Sequence, residues 1–188
     1  MGLEIERRFL VGGPQWRDQV RWSRQLQQGY LSRQADGFTL RVRTSRPITP
    51  GDCAAAAAQA WLTLKAPAPA FQGVPEGLVR QEFEYPIPLA DAEALLALTA
   101  LQLSKIRHGL ALPGGDWVVD VFAGSNAPLV VAEVELTSAD QALAVPAWCA
   151  QELTGQHAFS NAALAGRPFS TWSPEQRDPL LEVLQAWA

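Results

Sequence analysis

Apolar and polar residues alternate along most of the first 137 positions, and this period of two is typical of β-strands. The pattern predicts eight strands, over residues 3–11, 25–32, 38–44, 61–66, 79–87, 103–112, 117–122 and 129–137. Successive strands joined by turn signals favour an antiparallel sheet or barrel. The first two thirds of the chain are therefore expected to be strand-rich.

Helical spacing replaces this alternation in three places. Asp91 is predicted to be the N-cap of a helix over 92–101, since apolar residues recur there every three or four positions. Segments 146–153 and 174–187 each have a proline near the start, which favours a helix. We expect one α+β domain over 1–188, strand-rich over 1–137 and helical over 138–188. The Pro- and Ala-rich stretch 47–60 is expected to be a surface hairpin extension.

Composition excludes several classes of protein. With 188 residues, 48% hydrophobic and 18% charged, the chain is long and apolar enough to bury a core. A net charge of −4 gives no general attraction to nucleic acid or to anionic membranes. No apolar run approaches the roughly 18 residues of a membrane span, and the charged N-terminus is unlike a signal peptide. The expectation is a soluble cytoplasmic monomer or homodimer without nucleic-acid or membrane partners.

The charged residues concentrate on one face of the predicted strands. Seven acids and seven cations share such faces: Glu4, Glu6, Glu82, Glu84, Asp120, Glu133 and Glu135, with Arg8, Arg41, Arg43, Lys65, Arg80, Lys105 and Arg107. Taken strand by strand, this pattern is typical of a sheet with one face in the core and one in water. However, Asp120, Glu133 and Glu135 lie in runs that are apolar on both sides, and buried carboxylates require partners. A barrel with its charged faces inward supplies those partners and leaves room for a small ligand.

The mixture of charges indicates what that ligand is. Arg and Lys bind phosphate oxygens, whereas clustered carboxylates bind divalent cations such as Mg²⁺ or Mn²⁺. The chain has 13 arginines but only two lysines, Lys65 and Lys105, and both lie on the charged faces. A channel that holds both kinds of group is suited to a metal-chelated polyphosphate.

These residues also resemble a known family. Glu4, Glu6 and Arg8 resemble the N-terminal ExExK signature of the CYTH, or triphosphate tunnel metalloenzyme, superfamily. Seven further blocks follow in the order of its small bacterial members, at residues 28–31, 40–43, 62–65, 80–85, 105–107, 117–120 and 132–136. The resemblance implies an eight-stranded antiparallel β-barrel with helices packed outside. It also implies metal-dependent hydrolysis of a triphosphate, most simply inorganic tripolyphosphate, by a metal-activated water.

The resemblance implies roles residue by residue. The expected ligands of Mg²⁺ or Mn²⁺ are Glu4, Glu6, Glu82, Glu84, Asp120, Glu133 and Glu135. The expected substrate-binding residues are Arg41, Arg43, Lys65, Arg80, Lys105 and Arg107. The expected catalytic residues are Glu4, Glu6, Arg8, Lys65 and Lys105.

Two features depart from the family's pattern, and two alternative functions stay open. One departure is the stretch 47–60, which is longer than the turn expected in compact relatives and for which gating of a tunnel mouth is an alternative role. Arg8 stands where the family usually has Lys, which keeps the charge but replaces a compact ammonium by a planar fork. The segment 157–169, which resembles the bacterial branch, is expected to pack over one end of the barrel. One alternative activity is that of an adenylate cyclase or a thiamine or nucleoside triphosphatase. The other is a non-catalytic module that binds polyphosphate.

Overall fold

A computed structural model describes residues 2–34, 37–48, 57–67 and 79–185 of the chain. Within these residues it contains nine strands and three α-helices. The strands are β1 Gly2–Val11, β2 Val20–Arg33, β3 Thr39–Pro47, β4 Gln59–Pro67, β5 Val79–Pro86, β6 Gln102–Leu110, β7 Asp116–Phe122, β8 Val130–Glu135 and β9 Cys149–Glu152. The helices are α1 Leu89–Ala97, α2 Asn161–Gly166 and α3 Pro174–Gln185. Most of the 47–60 stretch, for which a hairpin extension was predicted, lies outside the described residues.

The strands close into a barrel. Their order in the sheet is β5-β4-β3-β2-β6-β7-β8-β1, and β5 also pairs with β1, so the first and last strands of this series meet. All of these pairings are antiparallel. The predicted α+β class with an eight-stranded antiparallel barrel is confirmed.

Strand β9 corrects the helix predicted over 146–153. It pairs with Phe9–Val11 at the end of β1, on the same edge of β1 whose first residues, Gly2–Ile5, pair with β5. Because β5 covers only Gly2–Ile5, the rest of that edge of β1 is open, and unpaired strand edges readily accept another strand. Cys149 therefore begins a strand and is half-buried, and burial raises the pKa of its thiol to about 12.

Helix α1 begins earlier than predicted. It starts at Leu89 directly after Pro88, so Asp91 lies in the first turn and is not the N-cap. Proline has a fixed φ that suits a helix start, and an acidic residue in the first turn is stabilised by the helix dipole. Ala92 and Leu96 pack on Val42 and Ala60 of the barrel wall.

The largest apolar core lies between the barrel wall and the C-terminal segments. Phe9 and Trp117 on the wall contact each other, and Trp148 packs edge-on against Trp117. Leu164 of α2 and Leu180 of α3 belong to the same buried cluster. The helices therefore pack outside the strands, as predicted, and α3 begins at the predicted Pro174. No helix in the described part of the chain is long and apolar enough to cross a membrane.

Candidate active site

The charged side chains meet inside the barrel, in a space called the tunnel below. Lys65 of β4 contacts Glu4 of β1 with 2.5 Å between Nζ and Oε2, although β5 lies between these two strands. In the same way Arg107 of β6 contacts Glu133 of β8 past β7. An ion pair between two strands that are separated by a third strand lies on the concave side of a closed sheet. The opposite charges are therefore enclosed and do not cover an outer surface.

The most deeply buried group is a network around Asp120. Asp120 and Lys105 are 0% and 1% exposed, and the Lys105 ammonium donates to Oδ2 of Asp120. Arg107 donates to both oxygens of the same carboxylate, at 2.8 and 2.7 Å. Lys105 Nζ also donates to Oδ1 of Asn161 at 2.9 Å. Burial lowers the pKa of Lys105, and the charge of Asp120 opposes that shift.

A second network joins the acids of β1 and β8 through Arg8. Nε of Arg8 lies 2.5 Å from Oε1 of Glu6 and 3.6 Å from Oε1 of Glu133. Burial raises the pKa of Glu6 to about 7, and the nearby charges of Glu133 and Glu4 act in the same direction. Burial alone would raise the pKa of Glu133 too, but Arg107, Lys105 and Arg8 lower it overall. Glu6 is thus protonated more easily than Glu133, although Arg8 contacts both carboxylates.

A third network lines the β3–β5 side. NH2 of Arg43 lies 3.0 Å from both carboxylate oxygens of Glu84, which also accepts a hydrogen bond from Thr63. Arg41 lies 3.7 Å from Glu82 and 3.5 Å from Glu84. Burial lowers the pKa of Arg43 to about 10, and the neighbouring charge of Arg41 adds to this.

Buried atoms in this third network have no hydrogen-bond partner among the described residues. They are Nε of Arg41, Nε of Arg43 and Oε1 of Gln28, which lies directly opposite Arg43 in the β2–β3 register. A buried donor or acceptor without a partner costs roughly 1–3 kcal/mol. The two arginine Nε donors fit an anionic ligand that supplies acceptor oxygens.

The tunnel contains a small cavity that is partly open to solvent. Its walls are Arg8, Tyr30, Thr39, Arg41, Lys65 and Arg80 from the barrel, with Ser160, Asn161 and Ala162 from the C-terminal segment. Four of these residues are cations and none is an acid. The cavity is therefore suited to a polyanion such as a chain of phosphates.

The neighbouring carboxylates fit a divalent cation by their chemistry. Glu4, Glu6 and Glu133 offer hard oxygen ligands, and the mutual repulsion that helps to raise the pKa of Glu6 is what a bound dication relieves. Among the described residues no three such groups are already arranged around a common point for a metal ion. The reason lies in their contacts: Glu4 is held by Lys65, Glu6 by Arg8, and Glu133 by Arg107.

The structure places most of the sequence-predicted residues in the tunnel, and Glu135 lies on the same face at the end of β8. Glu135 ends β8 opposite Glu6 and Asp116 and is exposed. Arg80 lines the cavity and donates to the carbonyl of Gly37 at 2.9 Å. The carboxylate oxygens of Asp120 accept hydrogen bonds from Lys105 and Arg107.

Three tunnel residues were not predicted from the sequence: Gln28, Tyr30 and Asn161. Tyr30 lines the cavity and shares a face with Gln28, two residues earlier on β2. The face of β2 was hard to assign because neither residue is charged. Asn161 lies beyond the barrel strands, where alternation gives no signal. His108 lies outside the tunnel, as its position beside Ile106 predicts, and packs against Trp16.

Comparisons with known proteins agree with this geometry. The model of the CYTH domain matches residues 2–161. The chain belongs to the CYTH family. An inorganic triphosphatase from Acetivibrio thermocellus is 30% identical over 92% of this chain and 99% of its own length. One from Nitrosomonas europaea is 35% identical over 86% of this chain and 96% of its own length.

A solved structure of an inorganic triphosphatase gives the same result for the fold. It is 32% identical, covers 88% of this CYTH chain and 95% of its own, and superposes with a TM-score of 0.56. The resemblance inferred from eight short blocks of sequence is thereby confirmed at the level of the family.

Proposed function

We propose that this CYTH protein hydrolyses inorganic tripolyphosphate in a metal-dependent reaction inside its tunnel. The observation that carries the proposal is the adjacency of two opposite environments in one enclosed space. A cavity lined by Arg8, Arg41, Lys65 and Arg80 lies beside the carboxylates of Glu4, Glu6 and Glu133. The two relatives named inorganic triphosphatase, each covered by this chain over at least 96% of its length, support the choice of substrate.

The ion pairs of the tunnel suggest how a ligand is accommodated. In the structure the carboxylates and the cations neutralise one another. We infer that tripolyphosphate takes over the cations while Mg²⁺ or Mn²⁺ takes over the carboxylates of Glu4, Glu6 and Glu133. Every buried charge then keeps a partner, which avoids the large cost of an unpaired charge. The same roles predicted for Glu82, Glu84, Asp120 and Glu135 stay predictions.

Each group has a defined task in the proposed reaction. A divalent cation held by the carboxylates supplies Lewis-acid chemistry for the phosphate oxygens and for an attacking water. Arg41, Lys65 and Arg80 hold the phosphate chain in line with that attack. Lys105 and Arg107, fixed by Asp120, stabilise the negative charge that develops on the phosphoryl oxygens.

Phosphate release from a panel of substrates tests this proposal. Tripolyphosphate, ATP, thiamine triphosphate and pyrophosphate are each incubated with Mg²⁺, with Mn²⁺ and with a chelator. We expect release from tripolyphosphate to be fastest and to stop in the chelator. Glu4→Gln is expected to lower the rate at least 100-fold. A matched control is Glu152→Gln, because Glu152 pairs with Arg7 outside the tunnel and its loss should leave the rate within twofold.

The other outcomes point to the alternatives. Faster turnover of ATP or thiamine triphosphate would replace the substrate in this proposal by an organic triphosphate. Tight binding of tripolyphosphate without release at any metal concentration would identify a binding module and refute the enzyme.

A further inference from the structure

The C-terminal segment closes one side of the phosphate-binding cavity. Ser160, Asn161 and Ala162 line it, although they lie beyond the eight strands of the barrel. Asn126 fixes this segment through two hydrogen bonds. Its Oδ1 accepts from the backbone N–H of Phe169, and its Nδ2 donates to the carbonyl of Leu164. Ser160 caps α2 by accepting from the N–H of Ala163. Asn161 is therefore held in place from two directions.

The orientation of the Asn161 amide is fixed by its neighbour. Lys105 Nζ donates to Oδ1 of Asn161 at 2.9 Å, and an ammonium group can only donate. The Nδ2 end of the amide therefore faces away from Lys105. No residue in the described part of the chain accepts a hydrogen bond from Nδ2, so this end keeps its donors.

The cavity that Asn161 lines has cations on its other walls. Arg8, Arg41, Lys65 and Arg80 contribute charge, whereas the amide contributes N–H donors without charge. A donor that is held at a fixed orientation restricts where a phosphate oxygen can lie, and the compact ammonium of Lys65 does this less well.

We propose that Asn161 is a substrate-binding residue whose Nδ2 donates to a phosphate oxygen of the bound triphosphate, while its Oδ1 holds Lys105. This inference rests on the proposed function, because it takes the cavity to be the phosphate site. One side chain outside the barrel then contacts both the substrate and the most deeply buried cation. Bound substrate should consequently protect α2 from opening.

Two substitutions distinguish the role of the Nδ2 donor of Asn161 from that of its Oδ1 acceptor. Asn161→Ala removes both the donor and the acceptor. Asn161→Asp keeps an acceptor for Lys105 but replaces the N–H donors by a carboxylate oxygen. If Asn161 binds phosphate, Asn161→Ala should weaken tripolyphosphate binding about tenfold and Asn161→Asp more strongly still. If Asn161 only positions Lys105, Asn161→Asp should bind better than Asn161→Ala.

Calorimetric titration with tripolyphosphate in a chelator measures the binding, and the KM for tripolyphosphate with Mg²⁺ gives a second value. Hydrogen exchange of the amides of residues 160–166 is recorded with and without tripolyphosphate. Wild type should show slower exchange on binding, and Asn161→Ala should lose most of that protection. Glu152→Gln is the matched control, because Glu152 pairs with Arg7 outside the tunnel; it should bind tripolyphosphate within twofold of wild type and keep the protection of residues 160–166.

The outcomes distinguish this inference from the function on which it rests. Wild type that neither binds nor hydrolyses tripolyphosphate would overturn the proposed function. Wild type that binds it, together with Asn161→Ala within twofold of wild type or Asn161→Asp tighter than Asn161→Ala, would overturn the role of Asn161 alone.

Discussion

Replacing Asp120 with asparagine removes the acceptor that two tunnel cations share. The carboxylate is 0% exposed and accepts from Lys105 and from both nitrogens of an Arg107 fork. Arg107 retains Glu133 as an ion-pair partner, whereas Lys105 keeps the neutral oxygen of Asn161, the ring of Phe122 and the more distant charge of Glu133. The main consequence of Asp120→Asn is thus a buried ammonium group with no carboxylate in contact.

The loss of unfolding free energy in Asp120→Asn is limited by the cost of deprotonating Lys105, because the neutral amine no longer needs a counter-charge. The reference pKa of lysine is 10.5, so neutralising the side chain at pH 7 costs about 5 kcal/mol, and at pH 9 about 2 kcal/mol. The first value is close to the 3–5 kcal/mol typical of breaking a buried ion pair. Burial lowers the pKa of Lys105 in the folded state, so stability is gained as pH rises towards the unfolded value. The penalty of Asp120→Asn should therefore shrink by about 1.4 kcal/mol per pH unit between 7 and 9.

Urea unfolding in the presence of a chelator measures this penalty, with fluorescence of the seven tryptophans as the signal. The double variant Lys105→Met with Asp120→Asn serves as the control, since it removes the unpaired charge. Because it lacks Lys105, its unfolding free energy should not show the gain between pH 7 and pH 9 that is expected for Asp120→Asn. A penalty for Asp120→Asn below 1 kcal/mol, or one that is equal at pH 7 and pH 9, would refute the enclosed position of Lys105.

Further predictions concern Glu6, Arg8 and Gly29. Because the pKa of Glu6 is raised to about 7 by burial, its stabilising contribution is present below pH 4.5 and is lost as pH rises through 7. In the presence of a chelator, the unfolding free energy of wild type should fall by about 3 kcal/mol relative to that of Glu6→Gln between pH 4.5 and pH 8. Urea unfolding that shows the same pH dependence for both proteins would contradict this. Arg8→Lys keeps the charge beside Glu6 and should hydrolyse tripolyphosphate at a rate within tenfold of wild type, whereas Arg8→Met should reduce that rate about 100-fold. Equal hydrolysis rates for the two variants would exclude a role for the charge. Gly29→Ala places a Cβ 2.9 Å from side-chain atoms of Leu96 and Thr99 and should lower the unfolding free energy by about 1–3 kcal/mol without changing KM. An unchanged Tm would show that these side chains move aside at no cost and would contradict the prediction.

The sequence predicts the barrel because charge alternates on its strands. Acids and cations at every second position of β1, β3, β5 and β8 mark one face of the sheet, and Asp120 and Glu133, which lie in runs that are apolar on both sides, indicate that this face is enclosed. On β2 the inner positions include the uncharged Gln28 and Tyr30, so alternation identified the strand only weakly and did not reveal two of its tunnel residues.

Other features depend on contacts that no local pattern contains. Strand β9 forms because β5 leaves part of the edge of β1 unpaired, which is a property of the assembled sheet. Glu133 and Glu135 share one face, yet Glu133 is buried and Glu135 is exposed because β8 ends there. Asn161 reaches the cavity only because α2 docks on the barrel.

The most direct test of the central claim locates the ligands. Crystals of the protein grown with Mn²⁺ and tripolyphosphate are measured near the manganese absorption edge, on the inactive Glu4→Gln variant if wild type turns the substrate over. The account predicts anomalous density inside the barrel next to Glu6 and Glu133, with phosphates against Arg41, Lys65 and Arg80. Manganese or phosphate bound only on the outer surface, with the tunnel ion pairs intact, would contradict it.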